Sequence, residues 1–182
     1  MKKNSVLMRG AAGSVLFAAT MIQPATLGRA YANNVPTVGH NSVTAVDDPE
    51  AVYQGARIVH NVTVKGQKGM RVHAKFSVKH GLDVACKVIA YFYYDDADNT
   101  PLKAGDDPRY RTKTGNVSAY TNFTPAYDPA IYNDLQIFIP YDALNMESGD
   151  EYDLKFYLAL YDNEGQRFFG KSGWYKFKLT MP

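Results

Sequence analysis

The stretch MRVHAKFSV, residues 70–78, decides the fold, because its apolar and polar residues alternate without a break. Alternation with a period of two places apolar side chains on one side of a β-strand and polar side chains on the other. The predicted inward set is Met70, Val72, Ala74, Phe76 and Val78, and the predicted outward set is Arg71, His73, Lys75 and Ser77. Such a strand has one buried and one solvated face, which is typical of an antiparallel sheet.

Similar runs recur on both sides of this stretch, and turn residues separate them, whereas helical periodicity is absent. The predicted strands are residues 57–64, 70–78, 86–94, 116–123, 135–139, 152–161 and 174–179, with one helical turn at residues 140–144. About seven short strands of this kind predict an all-β fold, a single antiparallel two-sheet β-sandwich over residues 56–182.

The start of the sixth predicted strand carries a family resemblance. The run Gly149-Asp150-Glu151-Tyr152-Asp153-Leu154, preceded by Leu144, is similar to the tyrosine corner of immunoglobulin-like and fibronectin type III-like β-sandwiches. The resemblance implies an immunoglobulin-like sandwich in which the Tyr152 hydroxyl bonds to upstream backbone and fixes the crossover between the sheets. It implies no function, because sandwiches of this kind host many unrelated ones.

The N-terminus has the layout of a secretory signal peptide. Residues 1–32 combine a basic start, an apolar run at residues 10–22 and small residues suited to cleavage, namely Lys2, Lys3, Arg9 and Ala30-Tyr31-Ala32. The apolar run is too short to remain as a membrane span. We therefore predict a secreted or periplasmic protein, with residues 33–55 as a flexible arm because they are polar and lack apolar periodicity.

Composition argues against a nucleic-acid partner, a membrane span and an internal disulfide. Residues 1–32 contain four basic residues and no acid, so the remaining chain has 20 − 4 = 16 basic and 18 acidic residues, a net charge of −2. No overall field favours nucleic acid, and no later segment predicts a membrane span. The only cysteine, Cys86, cannot form an internal disulfide, and its phase in the third strand predicts a buried residue.

The sequence contains no motif typical of catalysis or metal binding, neither HExxH nor GxSxG, and we predict no catalytic residue, no cofactor and no metal. One alternative stays open. Residues 95–107 form an acidic loop that carries Asp95, Asp96, Asp98, Asn99, Asp106 and Asp107. In this alternative the protein is a small secreted hydrolase, or a calcium-dependent enzyme or module, that uses the acidic loop. Calcium needs six to eight oxygen ligands, and clustered carboxylates can provide them. Aspartate and asparagine also simply favour turns.

The aromatic content gives the main functional hypothesis, with 14 Tyr, 9 Phe and 1 Trp in 182 residues. Alternation turns a set of these rings outward on strands that are neighbours in an immunoglobulin-like sheet: Tyr91, Tyr93, Tyr157, Tyr161 and Trp174. Tyrosine and tryptophan are favoured at interfaces. We predict a non-catalytic binding module that recognises another exported protein or a surface glycan on this face. The alternative is that the rings only shield the sheet by cross-strand pairing.

Overall fold

The computed structural model describes residues 47–182, which form two antiparallel sheets and two short 3-10 helices. The strands are β1 (Glu50–Val64), β2 (Gln67–Lys79), β3 (Cys86–Tyr94), β4 (Ser118–Phe123), β5 (Ala130–Pro140), β6 (Glu151–Asp162), β7 (Arg167–Lys171) and β8 (Tyr175–Thr180). The 3-10 helices are Pro108–Tyr110 and Tyr141–Leu144. The predicted all-β sandwich is confirmed. The predicted signal peptide, residues 1–32, and the predicted arm up to residue 46 lie outside the described residues.

The predicted boundary between the arm and the sandwich is wrong, and one strand was not predicted. Strand β1 begins at Glu50, so residues 50–55 belong to the sheet and not to the arm. A shift in the pairing register between Tyr53 and Gly55 interrupts the alternation there, which hides the first part of the strand from a period-two pattern. Eight strands are present in residues 47–182 instead of seven, because β7 forms a hairpin with β6 before the chain continues into β8.

The first sheet has the order β1-β2-β5, and the second has the order β4-β3-β6. The far edge of β6 is shared: β8 pairs with its first half, residues 151–156, and β7 with its last residues, 159–162. The connections β2–β3, β4–β5 and β5–β6 each cross from one sheet to the other. This arrangement places β3, β6 and β8 side by side, as the aromatic hypothesis requires.

The core lies between the sheets and follows the predicted alternation. All five predicted inward residues of β2 are fully buried, and so are Val88, Ala90 and Phe92 of β3 and Leu154, Phe156, Leu158 and Leu160 of β6. Cys86 is buried among them, and that burial raises the pKa of its thiol to about 11. A thiol in this state is a packing residue rather than a nucleophile.

The crossover from β5 to β6 contains a hydrogen bond to the hydroxyl of Tyr152. The 3-10 helix at Tyr141–Leu144 confirms the predicted helical turn, and Asn145 after it adopts a left-handed conformation with φ of 52°. The backbone N–H of Glu147 then donates to the Tyr152 hydroxyl at 3.2 Å. The ring of Tyr152 packs against the core, so this bond connects the crossover loop to β6. Within residues 47–182, no helix has the length and apolar character needed to span a membrane.

Candidate functional site

Pairing between β3 and β6 assembles three tyrosines on the outer surface of the second sheet. Tyr91 lies directly opposite Tyr157 in the register, and Tyr93 lies two residues further along β3. The rings of Tyr91 and Tyr157 are stacked with centroids 5.1 Å apart, and the Tyr93 and Tyr157 centroids are 5.8 Å apart. These separations are typical of favourable aromatic pairs.

Trp174 joins the tyrosines from the break between β7 and β8. Ser172 fixes this break, because its backbone N–H donates to the Leu158 carbonyl and its hydroxyl accepts from the Leu158 N–H, both at 2.8 Å. The indole meets Tyr93 and Tyr157 edge-on, at centroid distances of 5.0 and 5.2 Å, and remains 42% exposed. We call Tyr91, Tyr93, Tyr157 and Trp174 the aromatic cluster.

Tyr161, the fifth predicted site residue, lies on the same face but outside the aromatic cluster. It is opposite Lys87 in the register, and its ring packs edge-on against Phe168 of β7 with centroids 5.0 Å apart. No aromatic contact within residues 47–182 joins Tyr161 to the four clustered rings. The structure thus brings four of the five predicted residues together.

Two lysines lie against the rings of the aromatic cluster. The Lys155 ammonium is 5.1 Å from the centroid of the Trp174 ring and donates to the Asp96 carbonyl at 2.8 Å. Lys155 has the same outward parity as Tyr157 two residues further along β6. It is nevertheless only 5% exposed, because Trp174 and the start of the acidic loop cover it. The Lys171 ammonium is 4.3 Å from the centroid of Tyr157 and is exposed to solvent. Both contacts have the geometry of cation–π interactions.

A slot of about 290 Å³ opens beside the aromatic cluster. Its lining includes the aromatic residues Tyr91, Tyr93 and Tyr157. It also includes Lys113, Thr114 and Asn116 of the connection between β3 and β4, which we call the polar wall. The slot therefore combines aromatic rings with hydroxyl, amide and ammonium groups, a combination typical of small-ligand sites.

Hydrogen bonds hold the polar wall in place. The Asn116 amide donates to the Thr114 hydroxyl at 3.2 Å and accepts from the Lys103 ammonium at 2.8 Å. The hydroxyls of Thr112 and Thr114 are 3.0 Å apart. No pattern in the sequence predicts this wall. The run Thr112-Lys113-Thr114-Gly115 indicates a turn by its composition, but no local pattern shows that the turn folds back to the aromatic rings.

Tyr91 and Tyr157 of the slot are neutral phenols. Burial raises the pKa of Tyr157, and a hydrogen bond to Tyr93 raises it further. Burial also raises the pKa of Tyr91, with a contribution from neighbouring Tyr93. A neutral phenol both donates and accepts a hydrogen bond. The site therefore offers hydroxyl donors without negative charge.

Three carboxylates of the acidic loop have partners within the fold. Asp95 contacts the Lys176 ammonium at 2.9 Å, Asp96 accepts from the Thr100 N–H at 2.9 Å, and Asp107 pairs with the Arg109 guanidinium at 2.6 Å. Hydrogen bonds lower the pKa of all three carboxyls: from Lys176 to Asp95, from the side chain and backbone of Thr100 to Asp96, and from Arg109 to Asp107. Among residues 47–182, no group of three or more histidine, cysteine, aspartate or glutamate side chains is placed to hold a metal ion.

No protein-family profile matches the chain, and no curated protein shows significant sequence similarity to it. Proposals about function therefore rest on the geometry of the aromatic cluster and the slot.

Proposed function

We propose that this protein is an exported, non-catalytic module that binds a glycan in the slot beside the aromatic cluster. The proposal rests on one observation: a slot of about 290 Å³ is lined by both three tyrosine rings and the polar wall. A sugar ring has an apolar face that packs on an aromatic ring and hydroxyls that bond to polar groups at its edge. The lining of the slot provides both kinds of contact.

The size and shape of the slot favour a glycan over a protein surface. Its volume of about 290 Å³ lies just below the range of about 300–1,000 Å³ typical of small-molecule sites, which suits a single sugar residue. Protein interfaces, by contrast, bury about 800 Å² on each partner and need a broad complementary face. The exposed indole of Trp174 next to Tyr157 extends the stacking surface beyond the slot, which suits a chain of sugars.

Export supports a partner outside the cytoplasm, and it rests on the signal-peptide layout of residues 1–32. We expect the mature protein to begin at Asn33 and to be found in the periplasm or the medium. Intact-mass analysis of each cell fraction measures this directly, and a full-length chain retained in the cytoplasm would contradict it.

We also propose kinship with immunoglobulin-like and fibronectin type III-like sandwiches. The two-sheet strand order and the bond from Glu147 to the Tyr152 hydroxyl support it. This kinship bears on the scaffold only, and the ligand proposal does not depend on it.

The binding test uses the fluorescence of Trp174, the only tryptophan in the chain. Oligosaccharides from bacterial and plant surfaces are titrated into the mature protein, and binding is expected to change the emission. Tyr91→Ala removes the ring that both lines the slot and stacks on Tyr157, so the affinity should fall at least tenfold, about 1.4 kcal/mol.

Tyr161→Ala is the matched control, because Tyr161 lies on the same face but outside the aromatic cluster. It should bind like the unaltered protein. If no saccharide binds and an exported protein is retained instead, the aromatic cluster serves a protein partner. If both variants bind normally, the site lies elsewhere.

A further inference from the structure

We infer that the glycan bound in the slot is acidic, with a carboxylate on the sugar ring. This inference rests on the proposed function and names its ligand class. It comes from the charges around the slot, which differ in sign from those of the mature chain as a whole. That chain has a net charge of −2 after residues 1–32 are removed. The surroundings of the slot are nevertheless basic.

Three lysines surround the slot without a carboxylate partner. Lys113 lines the polar wall, Lys103 bonds to the amide of Asn116 in that wall, and Lys171 lies over Tyr157. None of the ion pairs among residues 47–182 includes any of these three lysines. All three are exposed, so their ammonium groups are available to an incoming ligand.

Two carboxylates on the same side of the sheet, Asp95 and Asp153, are paired with other lysines. Asp95 contacts both the Lys176 ammonium at 2.9 Å and the Lys155 ammonium at 3.6 Å. Asp153 contacts the Lys178 ammonium at 2.7 Å. These two acids therefore already have lysine partners other than Lys103, Lys113 and Lys171.

The neutral tyrosines complete a site that suits a carboxylate. A carboxylate only accepts hydrogen bonds, so it needs donors, and the slot offers phenol, hydroxyl and ammonium donors together. Burial keeps the phenols of Tyr91 and Tyr157 protonated. A bond from an ammonium to a carboxylate is stronger than one to a neutral hydroxyl. An uncharged sugar would therefore gain less from the lysines than an acidic one.

The test compares matched acidic and neutral saccharides. Trimers of galacturonate, glucuronate, mannuronate and guluronate are titrated beside their methyl esters, which keep the sugar rings and linkages but lose the charge. At least one acid should bind about tenfold more tightly than its ester, the sum expected for two partly exposed ion pairs. That preference should weaken as salt is raised from about 20 to about 500 mM, because salt screens exposed charges.

A double substitution, Lys113→Ala with Lys171→Ala, should reduce the preference for the acid to less than about threefold while the ester still binds. Lys75→Ala with Lys79→Ala is the matched control, because it removes the same charge from β2 in the other sheet and should leave the preference intact.

The outcomes separate the two proposals. Equal binding of acids and esters would overturn the acidic ligand and leave the glycan site standing. Stronger binding of a sulfated neutral trimer than of every uronate would overturn the carboxylate and identify a sulfate instead. Binding of none of these saccharides would overturn both proposals.

Discussion

The two outer faces of the sandwich obey the same alternation but have opposite chemistry. On the first sheet the outward residues form what we call the charged face, with Arg57, His73, Lys75 and Asp134. His73 Nδ1 is 2.5 Å from Asp134 Oδ1, and the Arg57 guanidinium is 4.0 Å from the same carboxylate. On the second sheet the corresponding positions hold the aromatic cluster, whose rings contact one another directly.

The contrast between Lys75 and Lys155 shows what alternation leaves open. Both lysines occupy outward positions in central strands. Lys75 is exposed, whereas Lys155 is 5% exposed because the indole of Trp174 and the backbone of Asp96 lie over it. An outward position is therefore solvated only where no loop or strand edge covers it. On the outer face of the second sheet, which we call the aromatic face, Trp174 and the backbone of Asp96 cover Lys155. The lysine therefore packs beneath the aromatic cluster.

The largest expected effect comes from removing that lysine. Lys155→Ala should destabilise the domain by about 2 kcal/mol, because a charged donor to the Asp96 carbonyl is lost together with the packing of its stem. Lys75→Ala should change stability by no more than about 0.5 kcal/mol, as is usual for an exposed residue. Urea unfolding followed by circular dichroism measures both.

Lys155→Met separates charge from packing, because methionine keeps an apolar stem of similar length. It should recover part of the loss, and the emission of Trp174 should shift as the cation leaves its ring. Equal unfolding midpoints for the alanine variants of Lys155 and Lys75 would mean that burial at the aromatic face has no energetic consequence.

The next largest effect is expected at the crossover that leads from the first sheet into β6. Tyr152→Phe removes the hydroxyl that accepts from the Glu147 N–H and leaves the ring packed against the core. We expect a loss of about 1 kcal/mol, the usual net value of one hydrogen bond. Tyr127→Phe, at an exposed loop residue, is the control and should be neutral. An unchanged free energy of unfolding for Tyr152→Phe would show that the bond does not stabilise the crossover.

Sequence patterns predicted most of the scaffold for a physical reason. Successive side chains of a strand point to opposite faces of the sheet. The buried residues of β2, β3 and β6 could therefore be predicted without knowing which strands lie next to them. The same rule failed at β1, where the irregular pairing at Gly55 broke the period. It also missed β7, whose five residues are only partly buried or exposed and so carry no clear alternation.

The same reasoning predicted the aromatic residues of the site but not its polar wall. Alternation and an assumed sheet order placed Tyr91, Tyr93 and Tyr157 together, but contact distances depend on register, which no local pattern fixes. Tyr161 was grouped with them because it has the right parity, yet it lies four residues along β6 from Tyr157. The polar wall at Lys113, Thr114 and Asn116 depends on how a long connection folds back, and this is set by tertiary contacts.

A smaller effect should distinguish the contacts of the two faces. In a double-mutant cycle, Tyr91→Ala and Tyr157→Ala should show a coupling of about 0.5–1.5 kcal/mol, as stacked aromatic pairs do. The same cycle for Arg57→Ala and Asp134→Ala should show a coupling within error of zero, because this pair is 4.0 Å apart and its side chains are 64% and 48% exposed. A larger coupling for the ion pair than for the rings would reverse the comparison.

The smallest change at neutral pH should come from two substitutions that separate the faces by their response to pH. Hydrogen bonds from Gln136 and His73 lower the pKa of Asp134. Its contribution to stability is therefore complete above the unfolded value of about 3.9 and is lost as the pH falls through the lower folded value. Burial raises the pKa of Tyr91. Its contribution is complete below about pH 10 and is lost as the pH rises through the higher folded value.

Asp134→Asn should thus flatten the acid side of the stability profile only, and Tyr91→Phe the alkaline side only. Urea midpoints at about pH 3, 7 and 11 measure this, and each variant is compared with its parent so that the titration of Cys86 is common to both. If Tyr91→Phe left the loss of stability between pH 7 and 11 unchanged, the phenol of Tyr91 would be solvated, and the aromatic face would be as open to water as the charged one.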